Sequence, residues 1–376
     1  MPFHVMIIPT LSCPSNCKYC WGSENTSEVM DIEIVKEISQ WLNGFKDDYV
    51  HFTFHGGEPL IPGYDFYSKA LPLLKEVPKQ NGFSIQSNLW LLDEKLAELF
   101  KEYDVSLSTS IDGPKEINDY QRGEGYFDKT IKAIEIAEEH DINVNYVCTF
   151  TSYSKDFKDE IYEFFKSRHA SLKMHAALPS LRGDNADPWA LKQSEHGQLL
   201  IDLLDKYLYD LEEFTIKDFD HIAKSSFIRR GTLCTFADCI GTTLAVGYDG
   251  SIYPCYRFVG MPDYIMGNDK DKPSMEELES SDAFKKLNEF REFVKEDCKD
   301  CTFMKFCLGG CPYNGIVASH SPKAVDPQCD AYKMIFGEVS KRANKEMLKS
   351  ALPGMGPKKE RKEGEPYSIM DLMMKR

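Results

Sequence analysis

Three cysteines spaced C-x3-C-x2-C (Cys13, Cys17 and Cys20) directly follow an apolar, β-branched run at Val5–Thr10. No other feature constrains the fold as much. If the run is the first strand of a parallel α/β array, the loop after it lies on the face where such folds carry their chemistry. Three thiolates in one loop can cap three irons of a [4Fe–4S] cube and leave the fourth open, much as a catalytic zinc keeps one position free. On spacing alone, the alternatives are a zinc site or three loop cysteines without metal.

The chain has twelve cysteines in 376 residues. In a secreted protein they would read as disulfides. Met1–Ile8, however, shows neither a basic n-region nor a small-residue cleavage site, so metal or cluster ligation is favoured and a cytoplasmic location expected. No run of roughly twenty apolar residues occurs, and no membrane span is expected. A formal charge of −15 argues against sequence-independent nucleic-acid binding, which needs a basic surface to displace counterions.

From residue 4 to about 210, strand-like and helix-like segments alternate. Strands are expected at Val5–Thr10, Tyr49–Phe54, Phe83–Gln86, Val105–Thr109, Val144–Phe150 and Leu172–Ala176. Helices are expected at Asp31–Leu42, Asp65–Leu74, Glu94–Glu102, Phe127–Glu138, Phe157–Ser167 and Glu195–Leu211. Six β/α units in series imply a parallel sheet with right-handed crossovers. They are too few for a complete eight-unit barrel, so a partial (β/α)6 TIM-like barrel is expected over 1–225. A cysteine-rich region follows over 226–349, with a hairpin turning at Asp249-Gly250 and a closing helix over Asp330–Leu348. Residues 350–376 read as a flexible extension whose end, "YSIMDLMMKR", can form a short amphipathic turn.

"CPSNCKYC" resembles the signature of the radical S-adenosylmethionine (radical SAM) superfamily, with Tyr19 at the aromatic position near the adenine. "HGGEP" (His55–Pro59) resembles that family's GGE motif. Gly56 and Gly57 would let the backbone approach the ligand, and Glu58 would accept from its ammonium. "IQSNLW" after the third strand makes Ser87 and Asn88 candidate ribose contacts. "TSIDGPKEINDYQR" after the fourth resembles the segment in which Ser110 and Arg122 would hold the methionine carboxylate, a group the guanidinium fork suits.

Downstream, Cys234, Cys239 and Cys255 precede Cys298, Cys301, Cys307, Cys311 and Cys329, whose spacing is C-x2-C-x5-C-x3-C-x17-C. This resembles the SPASM domain, and most closely the anaerobic sulfatase-maturating type. The resemblance implies auxiliary cluster I on Cys234, Cys239, Cys255 and Cys311, and auxiliary cluster II on Cys298, Cys301, Cys307 and Cys329. A pair of zinc sites is the alternative. Only Cys148 is left over, in the apolar run "NYVCTF", where it reads as a small core residue.

The resemblance implies three [4Fe–4S] clusters, bound S-adenosylmethionine and an anaerobic oxidoreductase. A 5′-deoxyadenosyl radical would abstract hydrogen from a residue of a peptide or protein, giving a crosslink, an epimerised centre or an oxidised side chain, as in maturation of ribosomal peptides. An external low-potential donor, flavodoxin or ferredoxin, is expected as partner. Sulfatase-maturating relatives carry an aspartate directly after the third ligand of auxiliary cluster I; here Tyr256 stands there, and a phenol is a poor base at neutral pH. Tyr256, Asp238 and His175 are the candidate groups for proton or hydrogen transfer. Only twelve residues precede Cys13, so peptide recognition is expected to fall to the barrel face, a separate protein or the tail. A small-molecule dehydrogenase and a non-catalytic iron–sulfur or zinc partner-binding protein are the competing functions.

Overall fold

Strand and helix alternate from Phe3 onward in the computed structural model, which describes residues 3–20, 27–45, 48–77, 80–178, 188–351 and 364–375. The series runs β1 (Phe3–Ile7), α1 (Ile32–Leu42), β2 (Tyr49–Phe54), α2 (Tyr64–Lys75), β3 (Gln80–Ser87), α3 (Glu94–Glu102), β4 (Val105–Ser110), α4 (Lys115–Arg122) and α5 (Tyr126–Glu139). It continues with β5 (Val144–Phe150), α6 (Lys158–Ser167), β6 (Ser171–Ala176), α7 (Gln193–Tyr207), β7 (Thr215–Ile216) and α8 (Lys217–Ile228). The strands pair in parallel, β1 with β2, β2 with β3 and β3 with β4. The fold is α/β, as six β/α units require.

The periodicities explain these elements. In α1, Ile34, Val35, Ile38, Trp41 and Leu42 recur on one face and are buried, and the Asp31 side chain caps the start by accepting from Glu33 N–H. In β1 and β2, Val5, Ile7, Phe52 and Phe54 are fully buried, each contributing on the order of 1.5–3 kcal/mol. The alternate residues line the sheet's other face with a polar chain. His4 Nε2 meets Thr53 Oγ1 at 2.7 Å, Thr53 Oγ1 meets Ser84 Oγ at 2.7 Å, and His51 Nε2 meets Ser84 Oγ at 2.9 Å. Burial, with a smaller push from His51, lowers His4 to about 4.

Packing divides the chain into two units that interleave in sequence. One gathers Met1–Ile111, Asn118–Tyr146 and Cys239–Arg291; the other gathers Asp112–Ile117, Val147–Asp238 and Glu292–Arg376. In the first unit, β8 (Thr243–Val246) pairs in parallel with β1 and turns into antiparallel β9 (Ser251–Tyr253), which pairs with β10 (Gly267–Asn268). Part of the region expected as cysteine-rich domain therefore extends the first unit's sheet. The turn is the Asp249-Gly250 hairpin: Gly250 has φ +82°, and a Cβ there would collide with the Asp269 carboxylate.

The remaining helices are α9 (Met275–Glu279), α10 (Asp282–Asp297), α11 (Met304–Cys307), α12 (Pro312–Ser319), α13 (Cys329–Ala351) and α14 (Ile369–Met374). The last corrects the expectation of a flexible extension over 350–376. Ser368 and Asp371 form a capping box, and Ile369 and Leu372 are fully buried. Lys375 Nζ donates to Tyr207 Oη at 2.6 Å and to Phe214 O at 3.1 Å. The apolar spacing of Ile369, Leu372 and Met373 supplies one packed face. The rest of the expected extension, 352–363, lies outside the described residues.

Candidate radical-generating site

The cysteine loop is held by its neighbours in the first unit. Cys20 N–H donates to Cys17 O, the Ser15 hydroxyl lies 3.1 Å from Cys17 Sγ, and Asn88 Nδ2 donates to Cys13 Sγ at 3.9 Å. Burial pushes the Cys13 thiol up to about 12, with Glu58, Cys17 and Cys20 adding to the effect. Thiols so penalised as anions suit a cationic partner, which turns them into thiolates. Among the described residues no three His, Cys, Asp or Glu side chains are grouped as around one ion; thiols that each take a different iron of a cube need not converge on one point.

The two glycines after β2 seat their loop on the cysteine loop. Gly57 N–H donates to Thr10 O and Glu58 N–H to Ser12 O. A Cβ on Gly57 would collide with the carbonyls of Leu11 and Ser12, and one on Gly56 (φ +124°) with Thr10 O. Their bareness lets this loop lie directly on the cysteine loop's backbone.

Glu58, fully buried, gathers the third strand end. Its Oε1 accepts from Ser87 Oγ at 2.6 Å and Leu60 N–H at 2.9 Å, and its Oε2 accepts from Asn88 N–H at 2.9 Å. Burial raises its carboxyl to about 7 against the pull of these donors. Glu58, Ser87 and Asn88 thus form one cluster.

Arg122, at the end of α4, is almost fully buried. Its Nη1 lies 3.9 Å from Cys17 Sγ and 3.4 Å from Tyr126 Oη, and its guanidinium sits 5.4 Å from the Tyr19 ring and 5.2 Å from the Tyr126 ring. The structure therefore joins Tyr19, Arg122 and Cys17, with Tyr126 as a member that sequence reading missed. Ser110, closing β4, accepts from Gln86 Nε2 at 3.1 Å.

Of the candidate transfer groups, Tyr256 belongs to this unit, and its ring stacks on His55, the residue before Gly56. His55 carried no signal beyond its place beside the glycines. His175, on β6, and Asp238 belong to the second unit.

In that second unit, Cys298, Cys301, Cys307 and Cys329 line one cavity of about 350 Å³ with Phe303 and Tyr332. Burial raises the Cys307 thiol to about 12 and is also the leading cause that raises Cys298 and Cys329. Four soft donors around one such cavity fit a cubane. Of the other four cysteines, Cys239 and Cys255 fall in the first unit, Cys234 and Cys311 in the second. Cys148 is fully buried in β5.

Comparison with known proteins supplies the context. A profile described as the radical SAM superfamily matches residues 7–166, and one described as an iron–sulfur cluster-binding domain (SPASM) matches 234–302. An uncharacterised protein of Methanothermobacter thermautotrophicus is 50% identical over 233 residues, covering 61% of this chain and 89% of the relative. The cysteine-type anaerobic sulfatase-maturating enzyme of Clostridium perfringens is 27% identical over 361 residues, covering 89% of this chain and 95% of the relative. The solved structure of native anSMEcpe with bound AdoMet and a peptide superposes with a TM-score of 0.81 at 25% identity, covering 93% of this chain and all of that one. The likeness is consistent with a partial TIM-like barrel.

Proposed function

Because the chain belongs to the radical SAM superfamily and carries a SPASM iron–sulfur domain, we propose that it modifies a residue of a peptide or protein substrate by hydrogen abstraction. S-Adenosylmethionine and a [4Fe–4S] cluster supply, when bound, the 5′-deoxyadenosyl radical. The rest of the catalytic task falls to the chain: binding, orienting and excluding water.

Cys13, Cys17 and Cys20 hold the cluster. Arg122 carries the reading: it is a buried guanidinium placed against a cluster cysteine and flanked by two aromatic rings, where it would receive the methionine carboxylate together with Ser110. Tyr19 faces the adenine, Ser87 and Asn88 the ribose. Glu58 accepts from the methionine ammonium, with Gly56 and Gly57 seating its loop. A relative solved with both AdoMet and a peptide, aligned over 93% of the chain, supports the peptide substrate.

Cys298, Cys301, Cys307 and Cys329 hold one auxiliary cluster and Cys234, Cys239, Cys255 and Cys311 another, three clusters in all, fed by flavodoxin or ferredoxin. By sequence the barrel is assigned to 1–225 and the SPASM domain to 226–349, with β8 of the latter segment extending the sheet at β1. Tyr256, stacked beside the Gly56-Gly57 loop, is the favoured transfer group; a phenol is a poor base at neutral pH but can return a hydrogen atom to a substrate radical, which favours epimerisation over formylglycine formation.

Anaerobic reconstitution followed by S-adenosylmethionine and a strong reductant tests the reading. About twelve irons per chain, four per cube, and release of 5′-deoxyadenosine are expected. Continued release after Cys13→Ala, Cys17→Ala and Cys20→Ala together would refute the site.

A further inference from the structure

Asp326 lies beyond every motif discussed so far, yet it is fully buried between ligand cysteines. Its Oδ2 accepts from Cys311 N–H at 3.0 Å, Asn314 Nδ2 at 2.7 Å and Tyr332 Oη at 3.2 Å, and its Oδ1 accepts from Gln328 N–H at 2.9 Å. Its backbone continues the tie: Asp326 N–H donates to Gly309 O, and Cys329 N–H donates to Asp326 O. Gly310 (φ +81°) is bare because a Cβ there would collide with the Asp326 side chain. One residue thus clamps the loop from Cys307 to Cys311 on to the turn that leads into Cys329.

Three of the four donors are amide N–H groups that can only donate and so favour the carboxylate, opposing the burial that pushes the Asp326 carboxyl up. A buried negative charge beside thiolate ligands disfavours adding an electron, since cluster potentials follow net charge and nearby hydrogen bonds. The Cys311 amide, a donor that a cluster sulfur could otherwise use, is committed to this carboxylate.

We propose that Asp326 is a positioning residue for both auxiliary clusters: it fixes the ligand loop shared by Cys307 and Cys311 against Cys329, and as a fixed anion it holds the auxiliary reduction potentials down. This rests on the ligand assignment given under the proposed function.

The test uses the full chain with Cys13→Ala, Cys17→Ala and Cys20→Ala, whose remaining clusters hold about eight irons, four per cube. Iron is counted chemically, and midpoints are read by redox titration followed by electron paramagnetic resonance. Asp326→Asn is expected to keep the iron and to shift at least one auxiliary midpoint to more positive potential. Tyr332→Phe, which removes one donor from the carboxylate, is expected to shift it the other way; this second sign keeps the test decisive if Asp326→Asn does not fold. Unchanged midpoints in whichever variants keep their iron would overturn the proposal. Loss of iron from both variants would leave Asp326 holding the ligand loop alone and would overturn its proposed effect on the potentials. A parent chain that binds no iron would sink the auxiliary-cluster reading and this proposal with it.

Discussion

The Tyr256 ring stacks on the His55 imidazole, with centroids 4.1 Å apart and planes 26° from parallel. His55 Nδ1 accepts from Gly56 N–H at 2.7 Å, so the ring is fixed from the glycine side while the phenol rests on its face. The Tyr256 hydroxyl in turn accepts from Arg257 Nε at 3.3 Å. Tyr256 is thereby oriented by the same loop that carries Glu58.

This orientation predicts an uncoupled variant. Tyr256→Phe keeps the stacked ring and removes the hydroxyl. Peptide product is expected to fall by about 10²-fold or more, the usual weight of a positioned transfer group, while 5′-deoxyadenosine continues to form. Quantifying both products in one reaction checks this; equal loss of both would make Tyr256 a structural residue only.

Arg122→Lys keeps the charge but loses the planar fork stacked between Tyr19 and Tyr126. Since such a site does not tolerate that exchange, affinity for S-adenosylmethionine is expected to drop by about tenfold or more, with iron content unchanged. Equilibrium dialysis of the reconstituted protein reads the first and a chemical iron assay the second.

Much of this was legible in the sequence, and the reasons for the gaps are physical. Strand 49–54 and helix 94–102 were marked to the residue because periodic apolar spacing and turn residues bound them. The interleaving of the two units was not, because nothing local in "TTLAV" says that it pairs with β1 rather than with its own neighbours. The extension was read as flexible from its Pro, Gly and charge content, with a short amphipathic turn allowed at its end; what the sequence did not show is that this end is capped and packed at Ser368–Met373. Cysteine spacing marked the candidate ligands, but Asp326 and Tyr126 have no motif; only the fold shows what they touch.

His4 predicts a pH dependence. Its imidazole ionises near 6.5 when unfolded and, buried against the sheet with His51 nearby, at about 4 when folded. Below 6.5 the unfolded chain therefore binds the extra proton first. The stability contributed by His4 is complete above pH 6.5 and is lost as pH falls from 6.5 towards 4, by up to a few kcal/mol. Urea unfolding of His4→Gln should show a shallower decline over that window than the parent chain; identical slopes would contradict this.

Leu372, fully buried on α14, anchors the end of the chain. Leu372→Ala is expected to cost about 2–5 kcal/mol, as other large-to-small changes in packed sites do. Chemical denaturation measures it, and a loss within experimental error would mean that α14 is not docked in solution.

The most direct test of the central claim follows hydrogen from substrate to cofactor. Deuterated candidate peptides are incubated with the reconstituted protein, S-adenosylmethionine and reductant, and the 5′-deoxyadenosine is weighed by mass spectrometry. The account predicts deuterium in the 5′-deoxyadenosine and a mass change in the peptide. Deuterium arriving from a labelled small molecule, with the peptides left unlabelled and unchanged, would contradict it.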